Sequence, residues 1–494
     1  MLATVALALT LQQAPPDVLF IAVDDLNDWI TPLAGSAQAK TPNFGRLAKL
    51  GVCFTNAHCA APACHPSRVA VMTGVHPSRS GIYRNSFHQQ GPKWREASPI
   101  LRKATTLSQH FRNHGYRAVG AGKIYHALQW TKGSQNDPAT WDEYWPDALR
   151  PIPTWVRPKH VPDADNGIGP GRPLGKSQLF GAMPLDVPDD ETSDHKVVDW
   201  AIEQLKKPRG KDAKPLFCAV GLFRPHIPWE VPRSYFELFP LEKIEIPKHL
   251  ENDLADTFGH GRTGWHRWVK KNKLWDDLVQ GYLASIAYSD RQLGRLLDAL
   301  LMSPRRDNTI IVLWSDHGMH IGEKENWEKF TLWEESTRVP LFVSAPGRGR
   351  GTRCAEPVTL TDLFPTLCEL AGLPIPKDQC DGVSLDAQLR DPSTPRKRPA
   401  LTSFWMHAHK GVPKKDRPVI GHAVRDRRWR YIRYSNGFEE LYDHAEDPDE
   451  HTNLAKRAEH ADTIRRLREF VPRNAAAPTK AGSYVKKKPA GKRK

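Results

Sequence analysis

Five short apolar runs most strongly constrain the fold of this chain. Each run is bounded by turn residues, and segments of helical periodicity lie between them. This alternation is typical of a large, mostly parallel sheet sandwiched by helices. The strand candidates are 17–23, 116–120, 216–220, 309–314 and 339–344, and the helix candidates are 106–114, 193–205, 276–302 and 361–371. The sequence therefore predicts an α/β domain over residues 17–375.

The composition changes near residue 375, and Pro374, Pro376 and Pro395 separate the α/β domain from the C-terminal part of the chain. Strand candidates at 401–407, 421–426, 429–434 and 438–443, and a helix candidate near 454–470, predict a smaller α+β subdomain over 376–472 with an antiparallel sheet. The segment 130–188 is rich in Pro, Trp and Gly, so we expect an excursion over the active site rather than a core element.

The formal charge of +15 is concentrated partly at the end of the chain. Seven Lys and Arg residues and no acid lie between Lys480 and Lys494, which leaves +8 for the rest. Residues 473–494 are therefore predicted to be a basic, disordered tail that could adsorb to any polyanion. The remaining positive balance suits an anionic substrate, and a solvated basic surface is the alternative. We expect no nucleic-acid partner.

Residues 1–14 are apolar up to a Gln/Pro-rich break and are too short to span a bilayer. We expect them to be a signal peptide and the protein to be exported, either periplasmic or secreted. The alternative is a disordered or strand-forming N-terminus. No other stretch has the length and apolar character of an integral membrane segment.

The seven cysteines show no paired spacing of the zinc-binding type. If Cys64 is consumed chemically, six remain, which allows up to three disulfides whose pairing the sequence does not assign.

Acidic residues follow two of the predicted strands. Asp24-Asp25 comes after the first strand, and Asp316-His317 comes after the fourth. Ligands of parallel α/β sheets bind beyond the carboxyl ends of the strands, so these pairs could converge on one hard cation. Helix caps or solvated turns are the ordinary alternative.

Cys64 precedes a predicted helix with Pro66 in its first turn and Gly74 just past its end. A helix N-terminus favours anions because free N–H groups and the helix dipole point at it. Cys64 could therefore be a reactive thiolate, or else a small buried hydrophobic residue.

The segment after Cys64 carries a more specific pattern. Its Cys-x-Pro-Ser-Arg sequence, followed by Thr73-Gly74 and residues 76–83, resembles the signature of type I sulfatases of the alkaline phosphatase superfamily. The likeness extends to about residue 454 and looks closest to iduronate-2-sulfatases and their bacterial relatives. Further similar segments occur in the family's order: Gly115-Tyr116 with 122–126, then 224–228, 327–329 and 440–454.

This resemblance implies an alkaline-phosphatase-like fold and a modified nucleophile. In the family, a formylglycine-generating or other sulfatase-maturing enzyme oxidises the cysteine to 3-oxoalanine (Cα-formylglycine), so Cys64 would be its precursor. The resemblance also implies one Ca²⁺ per chain, and carboxylate-dominated ligation favours Ca²⁺ or Mg²⁺ over zinc. Its ligands would be Asp24, Asp25, Asp316, His317 and the residue at position 64.

The resemblance further assigns roles at matching positions. Lys123 and Lys329 would hold the sulfate oxygens, and Arg68 would steady the residue at position 64. His226 would be the general acid for the leaving alcohol and His126 the base that releases sulfate, and these two roles could be exchanged. The expected reaction is hydrolysis of a sulfated carbohydrate, of glycosaminoglycan or algal type, with a 2-O-sulfated uronate as one candidate.

Two alternative functions are compatible with these residues. One is a phosphodiesterase or phosphonate monoester hydrolase of the same superfamily, because phosphoryl and sulfuryl groups share their shape. The other is a non-catalytic protein that binds polyanions through its basic tail, although such a protein has no need to keep Lys123, His126, His226 and Lys329 together.

Aromatic clusters outside these motifs have two interpretations. They could stack on sugar rings, or they could be ordinary packing residues. They comprise Trp141, Tyr144, Trp145 and Trp155, and a second group of Trp405, His407 and His409.

Overall fold

The computed structural model describes residues 14–85, 92–126, 137–146, 180–209, 213–258, 263–406 and 418–479. In chain order, the strands are β1 (Asp17–Val23), β2 (Val52–Phe54), β3 (Ala57–His58), β4 (Arg117–Gly122), β5 (Glu143–Trp145), β6 (Ala182–Leu185), β7 (Leu216–Leu222), β8 (Trp229–Pro232), β9 (Thr309–Ser315), β10 (His320–Ile321), β11 (Trp327–Glu328), β12 (Leu341–Ser344), β13 (Thr352–Cys354), β14 (Val358–Thr359), β15 (Ala400–Met406), β16 (Val419–Arg425), β17 (Trp429–Tyr434) and β18 (Glu439–Asp443).

The α-helices, in the same order, are α1 (Pro42–Leu50), α2 (Cys64–Thr73), α3 (Pro77–Ser80), α4 (Pro99–Lys103), α5 (Leu107–Asn113), α6 (Ser193–Lys206), α7 (Arg233–Phe236), α8 (Thr263–Asn272), α9 (Trp275–Leu301), α10 (Glu334–Thr337), α11 (Leu363–Leu370), α12 (Asp386–Arg390) and α13 (Ala461–Arg468).

The central sheet has eight strands in the order β13-β2-β12-β9-β1-β7-β4-β5. Neighbours from β9 to β5 run parallel, and β12 is antiparallel to both β9 and β2. All five predicted strands are present in it. The last predicted strand begins at Leu341 rather than at residue 339. Pro340 has no backbone N–H, and the N–H of Val339 donates to the carbonyl of Ala57, so β12 begins only after these two residues. The predicted fold class is confirmed.

Both faces of the central sheet are buried, so its strands are apolar throughout. In β1, Leu19 and Ile21 pack on one side, where α6 and α9 lie, whereas Val18 and Phe20 pack on the other side with α2, α5 and α11. The start of α5 is fixed by a capping box of Thr106 and Gln109. This arrangement leaves the carboxyl ends of the parallel strands to build a site.

A second sheet, in the order β15-β16-β17-β18, is antiparallel throughout, as predicted. One face packs on α13 and the other on residues around Ala63 and Trp333 of the larger part. The predicted helix at 454–470 is too long. The N–H of Leu454 donates to Leu441 and that of Ala455 to the Asn453 side chain, so the α-helix begins only at residue 461.

Two sequence expectations change in the described parts of the chain. The expected excursion is described only at residues 137–146 and from residue 180 on, and residues 137–146 include the edge strand β5. Trp141 and Tyr144 pack into the core against β4, so they are packing residues. Trp155 lies outside the described residues. Of the expected tail, residues 473–479 belong to the fold. Ala476 donates to Ser78 and Thr479 to Gly81.

All seven cysteines lie within the described residues, and all are free thiols, so the structure contains none of the three possible disulfides. None of the described helices is long and apolar enough to cross a membrane. The predicted signal segment falls almost entirely on residues 1–13, which lie outside the described residues, as do residues 480–494 of the tail.

Candidate active site

Most of the candidate site residues lie just after the carboxyl ends of four neighbouring parallel strands. Asp24 follows β1, Asp316 follows β9, His226 lies just beyond β7, and Lys123 follows β4. These strands are adjacent in the order β9-β1-β7-β4, so their carboxyl ends share one edge of the sheet. The topology therefore brings together side chains that are up to 292 positions apart in the sequence.

Arg68 links the two acidic strand ends from the second turn of α2. Its Nε donates to Asp316 at 2.8 Å, and another guanidinium nitrogen donates to Asp24 at 3.0 Å. It also donates to the backbone carbonyls of Lys123 and Ile124. Burial disfavours the charge, but Asp316 and Asp24 outweigh this and raise the pKa of Arg68. Arg68 therefore stays charged and fixes three elements of the site relative to one another.

Two lysines neutralise the acids that follow β1. Lys329 Nζ lies 2.7 Å from both carboxylate oxygens of Asp25, and Lys123 donates to Asp24. Burial raises the pKa of Asp25 to about 6 despite Lys329. Burial acts in the same direction on Asp24, but Lys123, His226 and Arg68 hold its pKa well below the usual range. The two carboxylates are thus electrostatically distinct.

Lys329 and Asp25 both occupy constrained backbone. Asp25 has φ +59°, and the residues on either side of Lys329, Glu328 and Phe330, have φ +68° and +81°. Such left-handed conformations cost non-glycine residues free energy and must be supported by their surroundings. Tyr282 supplies part of that support by donating to the carbonyl of Asp25 at 2.9 Å.

Cys64 is the first residue of α2 and is fully buried. Its Sγ lies 3.3 Å from His317 Nε2 and 4.0 Å from Lys123 Nζ. Burial and the nearby Asp24 raise the pKa of the Cys64 thiol well above its usual value, so the unmodified residue is a protonated thiol. It does not have the properties of a reactive thiolate.

His226 faces the same centre from the loop after β7. Its Nδ1 donates to the carbonyl of Ile227 at 2.5 Å, which turns Nε2 toward Asp25 at 3.8 Å. Burial, Lys329 and Lys123 hold the pKa of His226 well below its ordinary value. His226 is therefore neutral in this structure, with its free nitrogen directed into the site.

His126 is less central than His226. It lies at the end of the described segment after β4, and its ring is 6.3 Å from that of His65, the neighbour of Cys64. The structure thus gathers nine of the predicted residues directly around one centre and places His126 at its rim. The nine are Asp24, Asp25, Cys64, Arg68, Lys123, His226, Asp316, His317 and Lys329.

The gathered residues fit a hard cation. Asp24, Asp316, His317 and Cys64 each offer a ligand atom within 4.8 Å of the others, and a second such group contains Asp25. His317 Nδ1 donates to the carbonyl of Gly318 at 2.9 Å, which leaves Nε2 free to bind a metal. The three carboxylates are the oxygen ligands that Ca²⁺ prefers, whereas the imidazole is a ligand more typical of transition metals. A cation bound to Asp25 would share that carboxylate with Lys329.

Asp194 is a supporting residue that the sequence analysis did not identify. Its two carboxylate oxygens accept the N–H groups of Phe223 and Arg224, each at 2.9 Å, and so hold the loop that carries His226. Burial raises its pKa to about 6, although these two hydrogen bonds favour the charged form. In the sequence, Asp194 is only an acid in the first turn of a helix, which is too common to indicate a role.

The chain is similar to known proteins in both sequence and fold. Residues 16–373 match the sequence model of the Sulfatase family. Over 490 residues the chain is 34% identical to a sulfatase of Formosa agariphila, covering 95% of this chain and 89% of the relative. The chain belongs to the sulfatase family. Residues 322–476 of this sulfatase also match a second family model, which describes the C-terminal part of N-sulphoglucosamine sulphohydrolase.

Other sulfatases are more distant relatives. Human iduronate 2-sulfatase is 29% identical over 407 residues, which cover 73% of this chain and 70% of the relative. Among solved structures, phosphonate monoester hydrolase from Silicibacter pomeroyi is similar with a TM-score of 0.72 and 21% identity, over 92% of this chain and 94% of that chain. This last similarity concerns the fold alone. It agrees with the predicted alkaline-phosphatase-like architecture.

Proposed function

We propose that this member of the sulfatase family removes sulfate from a sulfated carbohydrate, with a formylglycine made from Cys64 by a separate maturing enzyme and with one bound Ca²⁺. The observation that carries the proposal is the placement of residue 64. It lies at the N-terminus of α2, with Lys123, Lys329 and His226 around it. That arrangement is suited to an anionic ester and a proton donor for its leaving group.

When present, the formylglycine hydrate supplies a hydroxyl nucleophile, and Ca²⁺ supplies positive charge beside it. The chain's own residues provide the rest. Lys123 and Lys329 neutralise the sulfate oxygens as charge develops on them. Arg68 binds both acidic strand ends and so fixes the position of α2 relative to them. Residue 64, at the start of α2, would therefore face the sulfur atom of the substrate in one orientation.

His226 acts as the general acid. Its Nε2 donates a proton to the oxygen of the leaving alcohol, while the bond from Nδ1 to Ile227 fixes the ring. The negative charge of a bound sulfate ester favours the protonated ring and so opposes the effect of the two lysines on its pKa. His126, at the rim of the site, would take up the proton that residue 64, in its hydrated aldehyde form, loses when sulfate leaves. These two roles could be exchanged.

The proposed substrate is a glycosaminoglycan- or algal-polysaccharide-like sulfate, including a 2-O-sulfated uronate. The support for this choice is the relative named iduronate 2-sulfatase, together with the Asp316-His317 pair and the Arg-Pro-His-Ile-Pro loop at 224–228, which resemble that branch of the family. We also propose export, a catalytic domain over 17–375, and a C-terminal subdomain over 376–472 that helps to shape the sugar pocket.

The proposal is tested by producing the chain with and without a sulfatase-maturing enzyme. Peptide mass spectrometry across residue 64 should show the aldehyde or its hydrate only in the matured sample. Only that sample should hydrolyse sugar sulfates. Equal turnover by the Cys64→Ala variant would reject the proposal, because that variant has no aldehyde precursor.

A second candidate is phosphonate monoester hydrolysis, because phosphoryl and sulfuryl groups share their shape; one solved structure of similar fold is a phosphonate monoester hydrolase. The same lysines and histidine could bind a phosphonate ester. Values of kcat/KM for a matched pair of aryl sulfate and aryl phenylphosphonate esters separate the two. A clear preference for the phosphonate would make sulfate hydrolysis the side activity.

A further inference from the structure

Arg84 lies in the segment after α3 and has no role in the mechanism above. Its neighbour Asn85 accepts the backbone N–H of His65 through Oδ1 at 2.9 Å. On the other side, the carbonyl of Tyr83 accepts the N–H of Trp405, near the end of β15, at 3.4 Å. These two contacts hold residue 84 between the first turn of α2, where Cys64 lies, and the edge of the C-terminal sheet.

The guanidinium of Arg84 stacks on an aromatic ring. Its central carbon lies 4.0 Å from the centre of the Trp405 ring, which is a close cation–π contact. The ring covers one face of the guanidinium and leaves the N–H groups around its edge available. Arg84 Nε is buried, and no described residue accepts a hydrogen bond from it.

Two fully buried arginines are neutralised by acids. Arg68 pairs with Asp24 and Asp316, and Arg430 pairs with Glu334 and Glu450. Arg84 differs, because burial lowers its pKa and no described carboxylate offsets this effect. A partly buried cation without an acidic partner costs free energy that a bound anion would recover.

We propose that Arg84, held by Trp405, is a specificity-determining residue that binds a second anionic group of the substrate, either a carboxylate or a second sulfate on the sugar. The inference rests on the proposed sulfatase function and deepens it. A guanidinium whose face is fixed presents paired N–H groups in one plane, which matches the oxygens of both groups. The scissile sulfate would bind at residue 64 and the second anion beside it.

The test uses the matured holoenzyme and three matched sugars: a hexose 2-sulfate, the corresponding hexuronate 2-sulfate, and the 2,6-disulfate of the same hexose. The variants are Arg84→Met, Arg84→Lys and Trp405→Leu, with Arg102→Met, an exposed arginine of α4, as the matched control. The measured quantity is kcat/KM for each dianionic sugar divided by that for the hexose 2-sulfate.

In wild type, we expect this ratio to exceed one for at least one dianionic sugar. Arg84→Met should lower it about 10- to 100-fold, the range for loss of a hydrogen bond to a charged group. Arg84→Lys and Trp405→Leu should lower it less, because each keeps part of the charged site, and Arg102→Met should not change it. Whichever dianionic sugar is affected identifies the recognised group as carboxylate or sulfate.

A ratio that is the same in Arg84→Met and wild type overturns the inference, provided that both proteins have the same Tm. If Arg84→Met does not fold, Arg84→Lys and Trp405→Leu decide by the same criterion. If matured wild type hydrolyses none of the sugars, the proposed function fails. In that case, the affinity of each sugar for wild type and Arg84→Met is measured by calorimetry. If Arg84→Met binds all three sugars more weakly by the same factor, the inference about Arg84 is overturned.

Discussion

The Nε2 atom of His317 lies 3.3 Å from the Sγ atom of Cys64. The same nitrogen is 3.3 Å from a carboxylate oxygen of Asp25. One imidazole, fixed through Nδ1 by the carbonyl of Gly318, therefore joins the nucleophile position to the acidic cluster. In this site, the binding of a cation and the orientation of residue 64 depend on the same few atoms.

The first prediction concerns Cys64. The Cys64→Ala variant should lose about 10⁴-fold or more in kcat, because it cannot form the nucleophile. The measurement is turnover of a sugar sulfate by protein coproduced with a maturing enzyme. Cys380→Ala, which removes a half-buried thiol outside the site, serves as the control and should keep wild-type turnover.

The second prediction concerns the cation. Adding Ca²⁺ at about 100 times its Kd to chelator-treated protein should stabilise the fold by about 2.7 kcal/mol and raise Tm. Asp316→Asn removes one carboxylate charge from the cluster and should reduce this rise strongly. Differential scanning calorimetry gives the shift for both proteins, and equal shifts in Tm would show that Asp316 does not hold the ion.

The third prediction separates His226 from general binding effects. Loss of a general acid typically costs 10²- to 10⁴-fold, and the cost grows as the leaving group becomes more basic. His226→Gln should therefore slow hydrolysis of a sugar sulfate far more than that of 4-nitrophenyl sulfate. His249→Gln, at an exposed histidine outside the site, is the control. Equal losses on both substrates would contradict the role of His226 as proton donor.

The fourth prediction tests Asp194 as a positioning residue. Asp194→Asn keeps one acceptor oxygen but turns an NH₂ group toward a backbone N–H of the loop. We expect a loss of about 10-fold or more on the sugar sulfate and a smaller one on 4-nitrophenyl sulfate, as for His226→Gln. A purely structural role would lower Tm and slow both substrates alike.

The fifth prediction is acid sensitivity of the fold. Burial lowers the pKa of His76 and of His422 to about 4, against about 6.5 in the unfolded chain. Between these values the unfolded chain binds protons that the folded protein does not, so stability is complete above pH 6.5 and falls as the pH drops toward 4. Each histidine accounts for a loss on the order of 3 kcal/mol.

Urea unfolding midpoints measured from pH 7 to pH 4 test this slope. In His422→Gln the midpoint should fall less over the same range, because one of the proton-linked groups is absent. The exposed variant His249→Gln should follow the wild-type slope. A slope in His422→Gln as steep as in wild type would exclude His422 as a source of the acid sensitivity.

Local sequence patterns predicted most elements of the fold. The apolar run at β1 and the capping signal at Thr106 act through neighbouring residues, so their structural effect can be read locally. The same holds for Gly74, which ends α2 with φ +70°. The predicted helix at 454–470 was too long because backbone groups near Leu454 are used by β18, a contact that local periodicity does not contain.

The candidate site divides in the same way. The identities of Cys64, Lys123 and His226 were available from motifs that resemble one family. The roles of Asp194 and Arg84 were not, because each depends on a partner that is distant in the sequence or on the absence of an acidic partner in space among the described residues. Trp405 gave two interpretations in the sequence, and its contact with Arg84 became visible only in the structure.

By itself, the sequence determined the alternating α/β pattern, the order of the motifs and the chemical identity of nearly every group around Cys64. The tertiary structure decided which groups meet. Parallel pairing of β9, β1, β7 and β4 aligns their carboxyl ends. At this edge of the sheet, Arg68 forms an ion pair with Asp316, and Lys329 forms one with Asp25, despite their separation along the chain. It also decided their charges, because burial and neighbouring ions set the pKa of each group and neither can be read from a linear pattern.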